Sequence, residues 1–113
     1  MSAPRRGDVW LVDFNPARGS EQAGVRPAVV LQNDVGNRAA ATTIVAAVTT
    51  TIRPFPVTVV VDAGEHGLDR RSMVNLAQIV TIDRARLLRH LGALLAARIL
   101  DVDAALRVSL SPA

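Results

Sequence analysis

The chain has no cysteine, so disulfide scaffolds, thiolate metal sites and cysteine nucleophiles are excluded outright. Aromatic side chains are nearly as scarce: Trp10, Phe14 and Phe55 make up 3% of the residues, and there is no tyrosine. Stacking of bases on aromatic platforms, a common way to hold single-stranded nucleic acid, has little material here. No apolar run reaches membrane-spanning length, and no cationic amino-terminal segment is followed by an apolar one, so a cytoplasmic protein away from the membrane is expected. Lysine is also missing: all 13 basic residues are arginine against 10 acidic ones, a net charge of +3. Nucleotide composition of the source genome accounts for most of that bias, so charge permits an anionic partner without requiring one.

What is present is apolar. Half of the 113 residues are hydrophobic, drawn mostly from Val, Leu, Ile and Ala. A chain of this length is expected to fold as one domain spanning residues 1–113 and to bury roughly two thirds of its extended surface. There is no internal repeat, linker or low-complexity tract.

Asp8 to Phe14 reads as a strand, with Val9 and Leu11 on one face and Trp10, Val12 and Phe14 on the other. Both faces are apolar, which predicts cover on both sides. Residues 15 to 25 carry breakers and polar side chains and form a long loop. A second strand over Ala28–Asn33 runs into a turn-rich Asp-Val-Gly-Asn reversal, and a third covers Thr43–Thr49. Val57–Val61, Ser72–Asn75, Ala77–Ile82 and Leu87–Leu91 supply further extended pieces. From Ala96 the period changes, with Ile99, Val102, Leu106 and Leu110 at helical spacing. Many short strands followed by one helix predict a mainly β protein with a C-terminal α-helix, built as a small, strongly curved sheet or partly open barrel. A two-faced apolar strand in so small a domain also leaves surface seeking a partner, which makes a homodimer plausible.

Chemistry is narrowed by elimination. His66 and His90 lie far apart in sequence with no carboxylate pair at ligand spacing, which disfavours a metal site and a two-histidine ribonuclease. The glycines never form a phosphate-binding loop motif, and Ser20, Ser72, Ser109 and Ser111 lack a nucleophile-elbow context. Arg26 stands out, because Pro27 restricts it to extended geometry where a loop becomes a buried strand. The dipeptide alone fits a solubilising strand edge equally well. Ser20, Glu21, Gln22, Asn33, Asp34 and Thr49 to Thr51 are the other polar groups near strand ends, and the threonines could simply favour extended backbone and cap a turn.

Five segments match a known family in order and spacing. They are Arg6-Gly7-Asp8-Val9-Trp10, the loop Gly19-Ser20-Glu21-Gln22-Ala23-Gly24-Val25-Arg26-Pro27, Val30-Leu31-Gln32-Asn33-Asp34, Ile44 to Thr49, and Gln78 to Asp83. Over nearly its whole length the chain resembles the MazF/PemK toxins of bacterial type II toxin–antitoxin systems. That resemblance implies a small SH3-like barrel, similar in fold to MazF and CcdB, that dimerises and cuts single-stranded RNA at short sequences without metal or other cofactor. It assigns catalysis to Arg26 and Thr49.

Cleavage would proceed by attack of the ribose 2′-hydroxyl on phosphorus, leaving a 2′,3′-cyclic phosphate and a 5′-hydroxyl. An arginine suits the charge that grows on the phosphorane oxygens, where one preorganised donor is worth about 3 to 4 kcal/mol. Arginine is poorly suited to moving the proton, since its ordinary pKa exceeds 12. Thr49 reads as a second hydroxyl donor. Ser20, Glu21, Gln22, Asn33, Thr50 and Gln78 are the expected RNA-binding residues, reading unstacked bases by hydrogen bonds. The chain departs from familiar members at Ala77 and Val80, where acidic and basic residues occur, and this bears on the recognised bases. An antitoxin with an acidic, disordered tail is the implied protein partner. The alternatives are a non-catalytic toxin like the CcdB group, which binds DNA gyrase, and a degenerate barrel that only binds RNA or antitoxin.

Overall fold

The computed structural model describes residues 3–15, 24–53 and 56–111. Six antiparallel strands form one sheet in the order β4-β5-β3-β2-β1-β6. They are β1 (Asp8–Asp13), β2 (Val25–Val30), β3 (Thr42–Thr49), β4 (Thr58–Val61), β5 (Ser72–Asp83) and β6 (Leu87–Ala93). Two helices join them, α1 (Asp34–Ala39) and the carboxy-terminal α2 (Ala96–Leu110), with a single 3-10 turn at Arg84–Arg86. The mainly β architecture with a terminal helix is the one the sequence predicts.

Alternation along the strands sorts the apolar residues into two cores. Val9, Val29, Ala46, Val48, Val74 and Leu76 face α2, which contributes Val102 and Ala105. Trp10, Val12, Phe14, Ala28, Val30, Val45, Ala47, Ile82 and Leu87 form the core on the other face. The apolar run of β1 is therefore covered on both sides, as its composition requires.

Three elements differ from the sequence reading. β2 begins at Val25 instead of Ala28, because β1 pairs with Arg26 and Pro27 from one side even though the pairing with β3 starts only at Ala28. Pro27 has no N–H to donate, so it sits where one ladder is not needed. The expected reversal at residues 34–37 is the helix α1. Asn33 caps it, and the buried Asn37 carboxamide donates to the Gln32 carbonyl (2.8 Å) and accepts from the Thr43 hydroxyl (2.6 Å) and Gln32 Nε2 (3.1 Å). That polar network is satisfied only if the segment coils. The two expected pieces at 72–75 and 77–82 are one bent strand, β5. Ala46 stands opposite Ile79 and Val48 opposite Val74, so β5 spends extra residues at the break and turns Leu76 under α2.

β4 and β6 end the sheet and do not pair with each other in the strand order. The seam is closed by the β4–β5 connection lying backbone to backbone on β6. A Cβ at Gly67 would overlap the Leu91 carbonyl oxygen, and one at Gly92 would lie 2.6 Å from the carbonyl oxygen of His66. His66 itself is buried with φ +60. Its ring accepts at Nδ1 from the Leu95 N–H (3.1 Å) and donates from Nε2 to Glu65 (3.1 Å), anchoring the residue just before α2. At the other end of the chain Arg6 donates to the Leu31 carbonyl (3.0 Å) and to Asp103 of α2 (2.7 Å). Gly67→Ala is expected to destabilise the protein by about 3 kcal/mol, because backbone must move and φ is +81; a urea midpoint unchanged from the parent chain would contradict the seam.

Candidate functional site

β2 and β3 pair with Ala28 opposite Ala47 and Val30 opposite Val45. Continued by two residues, the same register sets Arg26 opposite Thr49, just beyond the last paired residues. Both belong to the face that carries Val30, Ala28, Val45 and Ala47, the one turned away from α2. Arg26 is exposed and Thr49 half-buried at the rim of that core. A fixed cation and a hydroxyl therefore share one face at one end of two adjacent strands.

The Thr49 hydroxyl is oriented by its own turn. Its oxygen accepts from the Thr51 N–H at 3.1 Å, which occupies a lone pair and leaves the O–H hydrogen to donate outward. Thr50 is exposed in the bend that follows. Gln78 is half-buried at the break in β5. It lies two residues before Val80, the partner of Val45, and so sits toward the Thr49 end of the ladder. Ser20, Glu21 and Gln22 lie outside the described residues.

Asn33 is not brought to this end. It follows the far end of β2, seven residues from Arg26 and roughly 20 Å away along extended chain. Its side-chain oxygen accepts from the Gly36 N–H at 2.8 Å and caps α1. This corrects its grouping with the other polar residues: a short side chain at a helix start satisfies the helix first.

Two arginines that sequence reasoning passed over stand at the same end. The exposed Arg53 has its backbone N–H on Met73 Sδ (3.3 Å), and Met73 stands directly opposite Thr49. A basic residue four positions past Thr49 was the available signal. Arg86 precedes β6, and its guanidinium donates to the carbonyl oxygens of Asp13 (3.1 Å) and Asn15 at the end of β1. Nothing in its local sequence distinguishes it. The two histidines are apart: His66 is sealed in the seam, while the ring of His90 packs on Trp10 at 5.2 Å with Asp8 3.5 Å from its Nε2. Among the described residues no group of three or more His, Asp or Glu could hold a metal ion, and no helix is long and apolar enough to cross a membrane.

Residues 5–110 match the family model of PemK-like, MazF-like toxins of type II toxin–antitoxin systems. The chain is 45% identical over 108 residues to the endoribonuclease MazF of Staphylococcus epidermidis, covering 94% of this chain and 90% of that protein. It is 46% identical over 109 residues to the endoribonuclease EndoA of Bacillus subtilis, covering 95% and 94%. Its fold is similar to that of a mycobacterial endoribonuclease solved in complex with its cognate antitoxin, with a TM-score of 0.84, 27% identity and 98% of both chains covered.

The capping role of Asn33 is checked by denaturation: Asn33→Ala should lose about 1 kcal/mol, whereas Asn33→Asp, which keeps the acceptor, should stay within a few tenths.

Proposed function

Because the chain belongs to the family of PemK-like, MazF-like toxins of type II toxin–antitoxin systems, we propose that it is the endoribonuclease toxin of such a system, cutting single-stranded RNA without a metal ion. The observation that carries the reading is the β2–β3 register, which, continued by two residues, sets Arg26 opposite Thr49, with the Thr49 hydroxyl already holding Thr51. Relatives at 45 and 46% identity are endoribonucleases by name, which supports RNA cleavage over gyrase binding.

In the proposed reaction the ribose 2′-oxygen attacks the adjacent phosphorus and loses its proton. The P–O5′ bond breaks, O5′ takes up a proton, and the products end in a 2′,3′-cyclic phosphate and a 5′-hydroxyl. Arg26 holds the negative charge that develops on the non-bridging oxygens, a role that needs position and charge only. Thr49 donates its free hydrogen to the same phosphate. It does not act as a nucleophile, since no base adjoins it. Arg53, beyond Thr49 on the β5 side, supplies a second cation for a neighbouring phosphate.

Bases are read by Gln78, Thr50 and the loop residues Ser20, Glu21 and Gln22. Asn33 is left out because it stands at the far end of β2 from Arg26, where it caps α1. An antitoxin with an acidic segment would compete for the same cationic end. The antitoxin bound to the mycobacterial relative supports a partner of that kind. A homodimer is supported by Leu100, Val108 and Leu110 of α2, which remain 51–68% exposed. The site of action is the cytoplasm, where its RNA substrate is found.

Incubation of the purified protein with a long RNA in EDTA should yield discrete cuts with cyclic phosphate and 5′-hydroxyl ends. Arg26→Ala and Thr49→Ala should each slow cutting by roughly 100- to 1000-fold, while Thr49→Ser retains most of it. Intact RNA, or equal cutting by Arg26→Ala, would refute the assignment.

A further inference from the structure

Arg26 is borne by a stretch of β2 that has a strand neighbour on one side only. Pairing with β3 starts at Ala28, and Pro27 offers no N–H to extend it. The backbone of Arg26 is therefore registered through β1, with Val12 opposite Arg26 and Asp13 opposite Val25. Whatever fixes the end of β1 also aims the Arg26 side chain.

That end is held by five hydrogen bonds outside either ladder. The Phe14 N–H donates to the Gly24 carbonyl (2.9 Å), and the Gly24 N–H donates to Asn15 Oδ1 (2.9 Å). The Asn15 N–H in turn donates to Asp13 Oδ1 (2.9 Å). From the turn before β6, Arg86 reaches across and donates to the carbonyl oxygens of Asp13 and Asn15. Gly24 has φ +76 with open space around it, so glycine is required there by backbone conformation and not by crowding. The clamp thus joins β6, the last residues of β1 and the residue two before Arg26.

We propose that Asn15 and Arg86 are positioning residues for Arg26: they hold the β1–β2 junction so that the guanidinium meets the scissile phosphate, and they do so without touching RNA. The proposal rests on the reading of Arg26 as the charge-stabilising group. Asn15 is exposed and belongs to neither core, so its loss leaves the fold standing. Displacement of a catalytic group by about 1 Å can cost on the order of 100-fold in rate. Arg86 is suited to the task because a single guanidinium nitrogen, Nη1, donates to both carbonyls.

The test is cleavage kinetics of Asn15→Ala, Asn15→Asp, Arg86→Gln and Arg26→Ala, together with Asn15→Ala placed in the Arg26→Ala background. Binding of an RNA with a 2′-deoxy block at the cut is measured alongside, at several salt concentrations. Asn15→Ala and Arg86→Gln should lower kcat about 10- to 100-fold with KM within threefold and an unchanged salt dependence of binding. Asn15→Asp, which keeps an acceptor for Gly24, should recover most of the rate. In the Arg26→Ala background Asn15→Ala should cost nothing further. A raised KM with a salt slope smaller by about one charge would mark direct phosphate contact and overturn the proposal. So would an additional loss in the Arg26→Ala background, or wild-type cutting by Asn15→Ala while Arg26→Ala is inactive. Wild-type cutting by Arg26→Ala would instead sink the reading of the site on which the proposal stands. If Arg86→Gln loses its cooperative thermal transition, the Asn15→Ala and Asn15→Asp pair decides the question alone.

Discussion

Val12 stands opposite Arg26 across β1 and β2, and Ala28 stands opposite Ala47 across β2 and β3. The rest of the molecule depends on holding these pairings. A slip of one residue between β1 and β2 would turn Val12 to the α2 side and expel Val9 from it, and a slip between β2 and β3 would put Val30 and Val45, and with them Arg26 and Thr49, on opposite faces. Because both faces are buried, the register is penalised from two directions at once. Packing and site geometry are therefore the same constraint seen at different points along the strands.

Close backbone approach does the rest of the shaping. Gly67 and Gly92 let the β4–β5 connection lie directly on β6, and His66 ties that seam to Leu95, the residue before α2, by accepting its N–H while donating to Glu65. With the seam shut, a sheet whose outer strands do not pair still encloses a core. The Asn37, Thr43 and Gln32 network does similar work under α1, where both ends of the buried Asn37 carboxamide and the Thr43 hydroxyl find partners and one local geometry is selected.

The proposed site lies where regular pairing stops. Pro27 ends the β2–β3 ladder on one side, the Thr49–Thr51 turn ends β3 on the other, and β5 breaks register beside them. Each interruption frees a polar group that a continuous ladder would have consumed or pointed elsewhere. In the proposed arrangement the clamp of Asn15, Gly24 and Arg86 holds the β1 side of Arg26, ahead of the point where pairing with β3 begins. Local departures from ideal sheet geometry at a functional site, supported by ordered surroundings, are an expected pattern.

Composition and alternation by themselves determined the fold class, the two-faced burial of β1 and the extent of α2, since these follow from periodicity; the restricted backbone before Pro27 singled out Arg26 without separating a functional role from a solubilising one. The ladder register was not legible from any one strand, because pairing belongs to two segments at once; the order of segments matching the family pointed to Thr49, and only the sheet set it opposite Arg26. Asn33 read as a polar residue at a strand end and proved to be a helix cap, because α1 forms only when Asn37 and Thr43 meet. Arg86 and the Gly67–Gly92 seam carried no local signal at all. Their roles arise from contacts between residues 24 to 73 positions apart, and contacts of that range exist only once the sheet has curled.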